Sequence, residues 1–123
     1  MRRAWLGLAL ALAAGGCGHP SSPSGDGLLP IDEVVVQVAE SYPVQVTARV
    51  VGYLPDGCTS LSEISQNRVG NTVSIVITTR RSGSGGCVMV IEPVEKWIAL
   101  RGLFPPGDYL LQVNDHLRRF RVD

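Results

Sequence analysis

The sequence predicts an all-β fold, an antiparallel sandwich of about seven short strands. Three observations carry that prediction. Beyond residue 29 the apolar residues recur at every second position, as they do on a strand with one dry and one wet face. Clusters of Pro, Gly, Asn and Asp punctuate these runs. No stretch beyond residue 16 carries the helical repeat, and many short strands without helices pack as a sandwich.

Taken in order, Ile31–Val38 is apolar on both faces more often than not, as an inner or edge-covered strand is. Tyr42-Pro43 ends it. Val44, Val46, Ala48 and Val50 then alternate with Gln45, Thr47 and Arg49, giving a half-buried strand. Leu54-Pro55-Asp56-Gly57 puts Pro and Gly where a turn uses them, and Asp56 accepts bonds from its own turn backbone. Ser62–Arg68 is a weak strand, polar except for Ile64. Gly70-Asn71 turns the chain into Val73, Ile75 and Ile77, which alternate with Ser74 and Thr78. Ser82–Gly86 is a loose glycine-rich loop, and Met89–Ile91 resembles Ile31–Val38 in being apolar on both faces. In Glu95–Leu100, Ile98 and Leu100 share the inner face and Trp97 faces out. Tyr109, Leu111 and Val113 alternate with Asp108, Gln112 and Asn114. A tight hairpin at Asn114-Asp115-His116 leads to Phe120 and Val122, which alternate with Arg119 and Arg121.

Leu103-Phe104-Pro105-Pro106-Gly107-Asp108-Tyr109 opens the penultimate strand. This Leu-x-x-Pro-Gly-x-Tyr segment resembles the corner of immunoglobulin-like, fibronectin-like and prealbumin-like sandwiches. The resemblance implies a structural corner at Gly107 and Tyr109, with the Tyr109 hydroxyl bonded back to nearby backbone. Such an architecture hosts many unrelated functions.

The start of the chain speaks of location. Arg2, Arg3, the apolar run Ala4–Ala14 and the small residues after it read as a secretory signal peptide over residues 1–16. That run is too short for a hydrocarbon core that needs about 20 residues. Cys17 after the cut resembles the lipobox cysteine of bacterial lipoproteins, which carries a diacylglyceryl anchor. Ala14 stands where lipoboxes favour Leu. Residues 17–29, rich in Pro, Ser and Gly, read as a flexible tether, and residues 30–123 as the sandwich domain. The expected location is the periplasmic or extracellular face of a bacterial membrane. With Cys17 assigned to lipid, Cys58 and Cys87 remain as an even pair in an oxidising setting, the alternative being two separate thiols. A bond between them closes a loop of about 30 residues and contributes about 3–4 kcal/mol.

A wider resemblance covers residues 31–123. Val44-Gln45-Val46, Gly52–Thr59, Gly70–Arg80, Cys87 and Leu103–Val113, in this order, are similar to a group of uncharacterised bacterial lipoprotein domains. The similarity implies fold and location and carries no mechanism.

Few residues offer chemistry. Without Arg2 and Arg3, nine basic residues face eleven acidic ones, which gives no reason to expect nucleic acid. His19 falls in the tether and His116 at a hairpin tip, neither with a nucleophile and a carboxylate in reach. Glu92 and Glu95 flank Pro93 and leave an extended chain on opposite faces. Ser82–Gly86 lacks the lysine and the helix of a phosphate cradle. No cofactor or metal is expected.

Arg118, Arg119 and Arg121, with Arg80 and Arg81, either protect a sheet edge or meet an acidic envelope partner or anionic headgroups. Trp97 and Tyr53 are candidate contacts for sugar or protein unless a loop covers them. The sequence therefore points to a non-catalytic, lipid-anchored binding or accessory module with an envelope protein or polymer as partner. The alternatives are a small-ligand or polysaccharide binder, which should display Trp97 or Tyr53 in a groove, and a protease or hydrolase inhibitor presenting a rigid loop.

Overall fold

The computed structural model describes residues 26–83 and 86–123. The described residues form eight strands and no helix. They are β1 (Asp26–Leu28), β2 (Ile31–Ala39), β3 (Gln45–Leu54), β4 (Thr59–Val69), β5 (Thr72–Arg81), β6 (Glu92–Ala99), β7 (Gly107–Val113) and β8 (His116–Val122). One sheet is β2-β3-β6. In the other, β5 is flanked by β4 on one side and by β7, then β8, on the other; β1 also pairs with β5.

The alternation read from the sequence is what joins the two sheets. Val46, Ala48, Val50 and Leu54 point inward from β3, and Val73, Ile75 and Ile77 point inward from β5. Leu111, Val113 and Val122 complete the facing layer. At roughly 1.5–3 kcal/mol for each fully buried side chain, this layer is the main stabilising contribution. Gly52 belongs to it for a different reason. A Cβ there would collide with the Pro30 carbonyl oxygen and press on Leu29, so the chain crosses at this point only because the side chain is missing.

Three sequence expectations need correction. The tether expected to run to residue 29 ends earlier, because β1 pairs Asp26 to Leu28 with Arg80 to Thr78, and Leu29 is sealed in the core. Met89–Ile91 is not a strand; these residues lie in an exposed irregular segment between β5 and β6. Nor is the sandwich wholly antiparallel, since β5 and β7 pair in parallel from Thr72↔Leu110 to Ile75↔Val113. The chain crosses to the other sheet for β6 and returns for β7, and two crossings restore the direction of β5.

That parallel pair creates a gap on the edge of β5. β7 covers Thr72–Ile75 and β1 covers Thr78–Arg80, leaving the stretch around Ile77 between them. Asn114 fills it. Its N–H donates to the Ile75 carbonyl at 3.0 Å, and its side-chain oxygen accepts from the Ile77 N–H at 2.9 Å. Its side-chain nitrogen donates to the carbonyls of Leu29, at 2.8 Å, and Ile77, at 3.1 Å. The amide thus acts as a substitute peptide group. Asn114 sits at φ 51°, a left-handed state that Asn tolerates better than most residues.

Two further polar side chains tie the sheets together. Gln66 on β4 donates to the Ala99 carbonyl and accepts from the Arg101 N–H, joining β4 to the end of β6. On the opposite flank Arg118 on β8 donates through Nε to the Val34 carbonyl on β2 at 3.0 Å.

Candidate functional site

One end of the sandwich gathers the cysteines. β1 begins there, β5 ends there, and Thr59 at the start of β4 pairs with Arg81. Cys58 and Cys87 form a disulfide with Cα atoms 5.5 Å apart. Asp56 lies beside it, buried, and one carboxylate oxygen accepts from the Cys58 N–H at 2.9 Å and from the Thr59 hydroxyl at 2.8 Å. Arg81 Nε stands 3.9 Å from the other oxygen. The carboxylate and both sulfurs are close enough together to hold a cation, but sulfurs joined to each other offer no thiolate.

The Thr59 hydroxyl most of all, then the Cys58 N–H and the Arg81 charge, hold the Asp56 carboxyl below its ordinary value, against the opposing effect of burial. Because the folded value is depressed, this contribution is complete above the unfolded value of about 4 and is lost as pH falls through the folded one. Melting curves from pH 5 downward should show an acid-side loss of stability that Asp56→Asn reduces. An unchanged acid limb in Asp56→Asn would contradict the assignment.

At the opposite end the Tyr109 hydroxyl donates to the Pro105 carbonyl, and its ring is buried. Gly107 takes φ 157°, which a side chain would strain. Tyr109 stacks on Phe120 at 5.2 Å and meets the edge of Phe104 at 5.2 Å. Arg68 on β4 closes this cluster, with its guanidinium 4.4 Å from the Phe104 ring centroid and a hydrogen bond to the Leu103 carbonyl. Tyr109→Phe should cost about 0.5–1.5 kcal/mol, read from denaturant midpoints. An unchanged midpoint would show that the hydroxyl bond does not stabilise the corner.

The arginines of β8 do not form one patch. Arg118 turns toward the other sheet and is held by Val34. Arg119 and Arg121 pair with Leu110 and Asp108 and so face outward, and Arg121 lies 3.4 Å from the carboxylate of Asp123. They line an open depression of about 670 Å³ with Asn71, Thr72 and Asp108. Strict alternation splits three near-consecutive arginines between two faces, so Arg118 does not share a contact surface with Arg119 and Arg121.

The outer face of β2-β3-β6 presents a different surface. Trp97 lies opposite Arg49, and Glu95 opposite Val51. Trp97 is 54 % exposed, so no loop covers it. Its indole N–H donates to Glu95 at 2.9 Å, and the Arg49 guanidinium stands 5.9 Å from the ring centroid. Arg49 in turn lies 3.3 Å from Glu95 and 3.8 Å from Glu33. The Arg49 hydrogen bond first, then the Trp97 N–H, hold the Glu95 carboxyl low, while Glu95 raises Arg49. Tyr53 points the same way, opposite Pro93, four residues along the strand from Trp97. At about 3.3 Å per residue the two aromatics are offset by roughly 13 Å along the strand direction, on neighbouring strands. The face therefore carries one oriented aromatic ring, Trp97, a second aromatic residue, Tyr53, and charged hydrogen-bonding groups on an open sheet surface, outside the depression described above.

Residues 48–122, from the middle of β3 to the last residue of β8, match the ORF11 beta-sandwich domain. The chain belongs to this family. An uncharacterized 10.2 kDa protein in the HgiCIIM 5' region of Herpetosiphon aurantiacus is 40 % identical over 85 residues, 69 % of this chain and 90 % of the relative. Its counterparts in the HgiBIM and HgiEIM 5' regions of the same organism are each 39 % identical over 75 residues, 61 % of this chain and 92 % of the relative. No solved structure matches the chain.

The ORF11 beta-sandwich match contains both disulfide cysteines, the Tyr109 corner, Trp97 and the polar side chains Gln66, Arg68 and Asn114, whereas β1 and β2 precede it. The structural roles of Gln66, Arg68 and Asn114 were missed by sequence reasoning. Gln66 and Arg68 did carry a signal, since both fall on the inward register of β4, where a polar side chain needs a buried partner. Cys17 and His19 lie outside the described residues, as do Ser84 and Gly85 of the glycine-rich loop. His116 stands at the β7–β8 turn beside Asp115, at 3.7 Å.

Proposed function

We propose that this domain is an exported, lipid-tethered binding module that grips a cell-envelope polysaccharide on the outer face of β2-β3-β6 and performs no catalysis. The observation that carries the reading is Trp97. It is a large ring left half exposed yet locked in orientation by Glu95 and Arg49. A fixed aromatic surface presents stacking area at little entropic cost, and Arg49, Glu33 and Glu95 offer donors and acceptors for hydroxyl groups. An open sheet face suits an extended polymer better than a small ligand, which prefers a concave site. Tethering supplies the reason for such a module to be small: it need only hold a surface that the membrane anchor already brings near. The immunoglobulin-like grouping is part of the same proposal, supported by the Tyr109 corner.

The test is cosedimentation of the full chain with insoluble envelope polysaccharide. Trp97→Ala should weaken retention about thirtyfold, the loss of one central aromatic contact of about 2 kcal/mol. It should leave the melting temperature near that of the parent, and Arg119→Ser with Arg121→Ser should retain binding. Retention lost with the arginines and kept without Trp97 would move the site to the other sheet. Release of soluble fragments from the polymer would contradict the non-catalytic reading. Mass spectrometry of the membrane-extracted chain should find acyl mass on a peptide beginning at Cys17, and an unmodified Cys17 would remove the tether.

A further inference from the structure

At the cystine end, the segment after Cys87 exposes four consecutive large apolar side chains, Val88 at 68 %, Met89 at 80 %, Val90 at 59 % and Ile91 at 63 %. Scattered exposed apolar residues are ordinary, but a continuous run on a projecting segment marks an interaction site. The run is held in place. The Cys58–Cys87 bond pins its start, the Gly57 N–H donates to the Val88 carbonyl at 2.8 Å, and β6 begins at Glu92 directly after it. The tip has therefore been kept from folding back onto the core, and its apolar side chains are presented by a rigid base.

We propose that Val88–Ile91 dips into the surface of the phospholipid bilayer, so that the sandwich stands on the membrane by its cystine end. Two observations choose lipid over another occupant. The first is where the rest of the chain lies. β1 enters at this same end, because Asp26 pairs with Arg80 at the close of β5. Asp26 stands nine positions after Cys17, and covalent geometry limits the reach of that span to about 32 Å. An acyl chain on Cys17 would thus tether the domain at this end, where β1 enters, and bring the apolar run nearest to the bilayer.

The second observation is the setting of the apolar tip. Arg80 and Arg81 close β5 at its base; Arg81 stands 3.9 Å from the Asp56 carboxylate yet keeps 56 % of its side chain exposed, and Glu92 is the acidic residue that follows the tip. An apolar tip with arginines behind it matches the order of layers in a bilayer interface. Seated in this way, the strands rise from the membrane and Trp97, five residues beyond Glu92, is lifted roughly 17 Å above the tip's base. The inference uses the tethered reading for its geometry, but the docking itself requires only Val88–Ile91.

The full chain, extracted from membranes and reconstituted in phosphatidylglycerol vesicles bearing a diazirine on the acyl chain, is irradiated, reduced and digested with trypsin. Label is expected on the peptide of residues 82–96, the product of cleavage after Arg81 and Lys96. Replacing Val88, Met89, Val90 and Ile91 by Ser should lower that label at least tenfold. The same variant should keep the Cys58–Cys87 bond and the parent melting temperature, since the four side chains are exposed. An unlabelled 82–96 peptide in a chain whose Cys17 is acylated overturns the docking while the tether stands. Label on that peptide with Cys17 unmodified supports the docking while the tether fails. Equal label on the 82–96 peptide of the parent and of the four-serine variant would overturn the proposal.

Discussion

Reduction of the Cys58–Cys87 bond is expected to lower the melting temperature by about 15–25 °C. The bond joins residues 29 apart, and closing such a loop in the unfolded chain is worth about 3–4 kcal/mol. In a domain of about 100 residues each kcal/mol moves the midpoint by about 4–8 °C. The structure adds a local reason for so large an effect. Among the described residues after β5, the Ser82 N–H to Cys58 carbonyl bond and the Gly57 to Val88 bond both lie next to the cystine and depend on it for their geometry. The Cys58→Ala, Cys87→Ala variant, measured by calorimetry without reductant, should match the reduced parent. A change below about 5 °C in both would mean that the sandwich carries its stability without this closure.

Asn114→Ala should be the most damaging single substitution outside the apolar core, at about 2–4 kcal/mol. It strips the partners from the Ile77 N–H and the Leu29 carbonyl, and one of two donors from the Ile77 carbonyl, which keeps the Leu29 N–H. Each buried group left unpaired costs about 1–3 kcal/mol, less where water reaches it. Asn114→Gly separates the two roles of the residue. Glycine relieves the left-handed backbone at φ 51° and restores none of the side-chain bonds, so it should recover only about 1 kcal/mol of the loss. Denaturant unfolding of the pair measures both quantities. Full recovery in Asn114→Gly would assign the effect to backbone conformation and not to the junction between β1, β5 and β7.

Much of the fold was legible because its signal is local. Val46, Ala48 and Val50, or Val73, Ile75 and Ile77, declare a buried face by alternation alone, and the structure buries each of them. The corner at Gly107 and Tyr109 was readable because one short segment contains both the hydroxyl and its backbone acceptor at Pro105. What escaped was set by distant partners. Asp26–Leu28 carries no alternating pattern and becomes a strand only because β5 has a free edge where β7 stops. Met89–Ile91 has the composition of a strand, but the cystine and the crossing between sheets hold it away from both.

The candidate site divided along the same line. That Trp97 faces outward followed from the inward direction of Ile98 and Leu100. Its fixed orientation did not follow, because Arg49 belongs to the neighbouring strand and the register of β3 with β6 is not written in either segment alone. Proximity in sequence misled in the case of Arg118. It stands next to Arg119, yet it points to the opposite face and serves as a tie to β2.

Amide hydrogen exchange of the full chain, with and without purified envelope polysaccharide, tests the proposed contact face most directly. The expected result is slowed exchange confined to β3 and β6 around Arg49–Tyr53 and Glu95–Trp97, with β7 and β8 unchanged. Slowed exchange around Asn71, Asp108 and Arg119–Arg121, or none in either sheet at saturating polymer, would contradict the account.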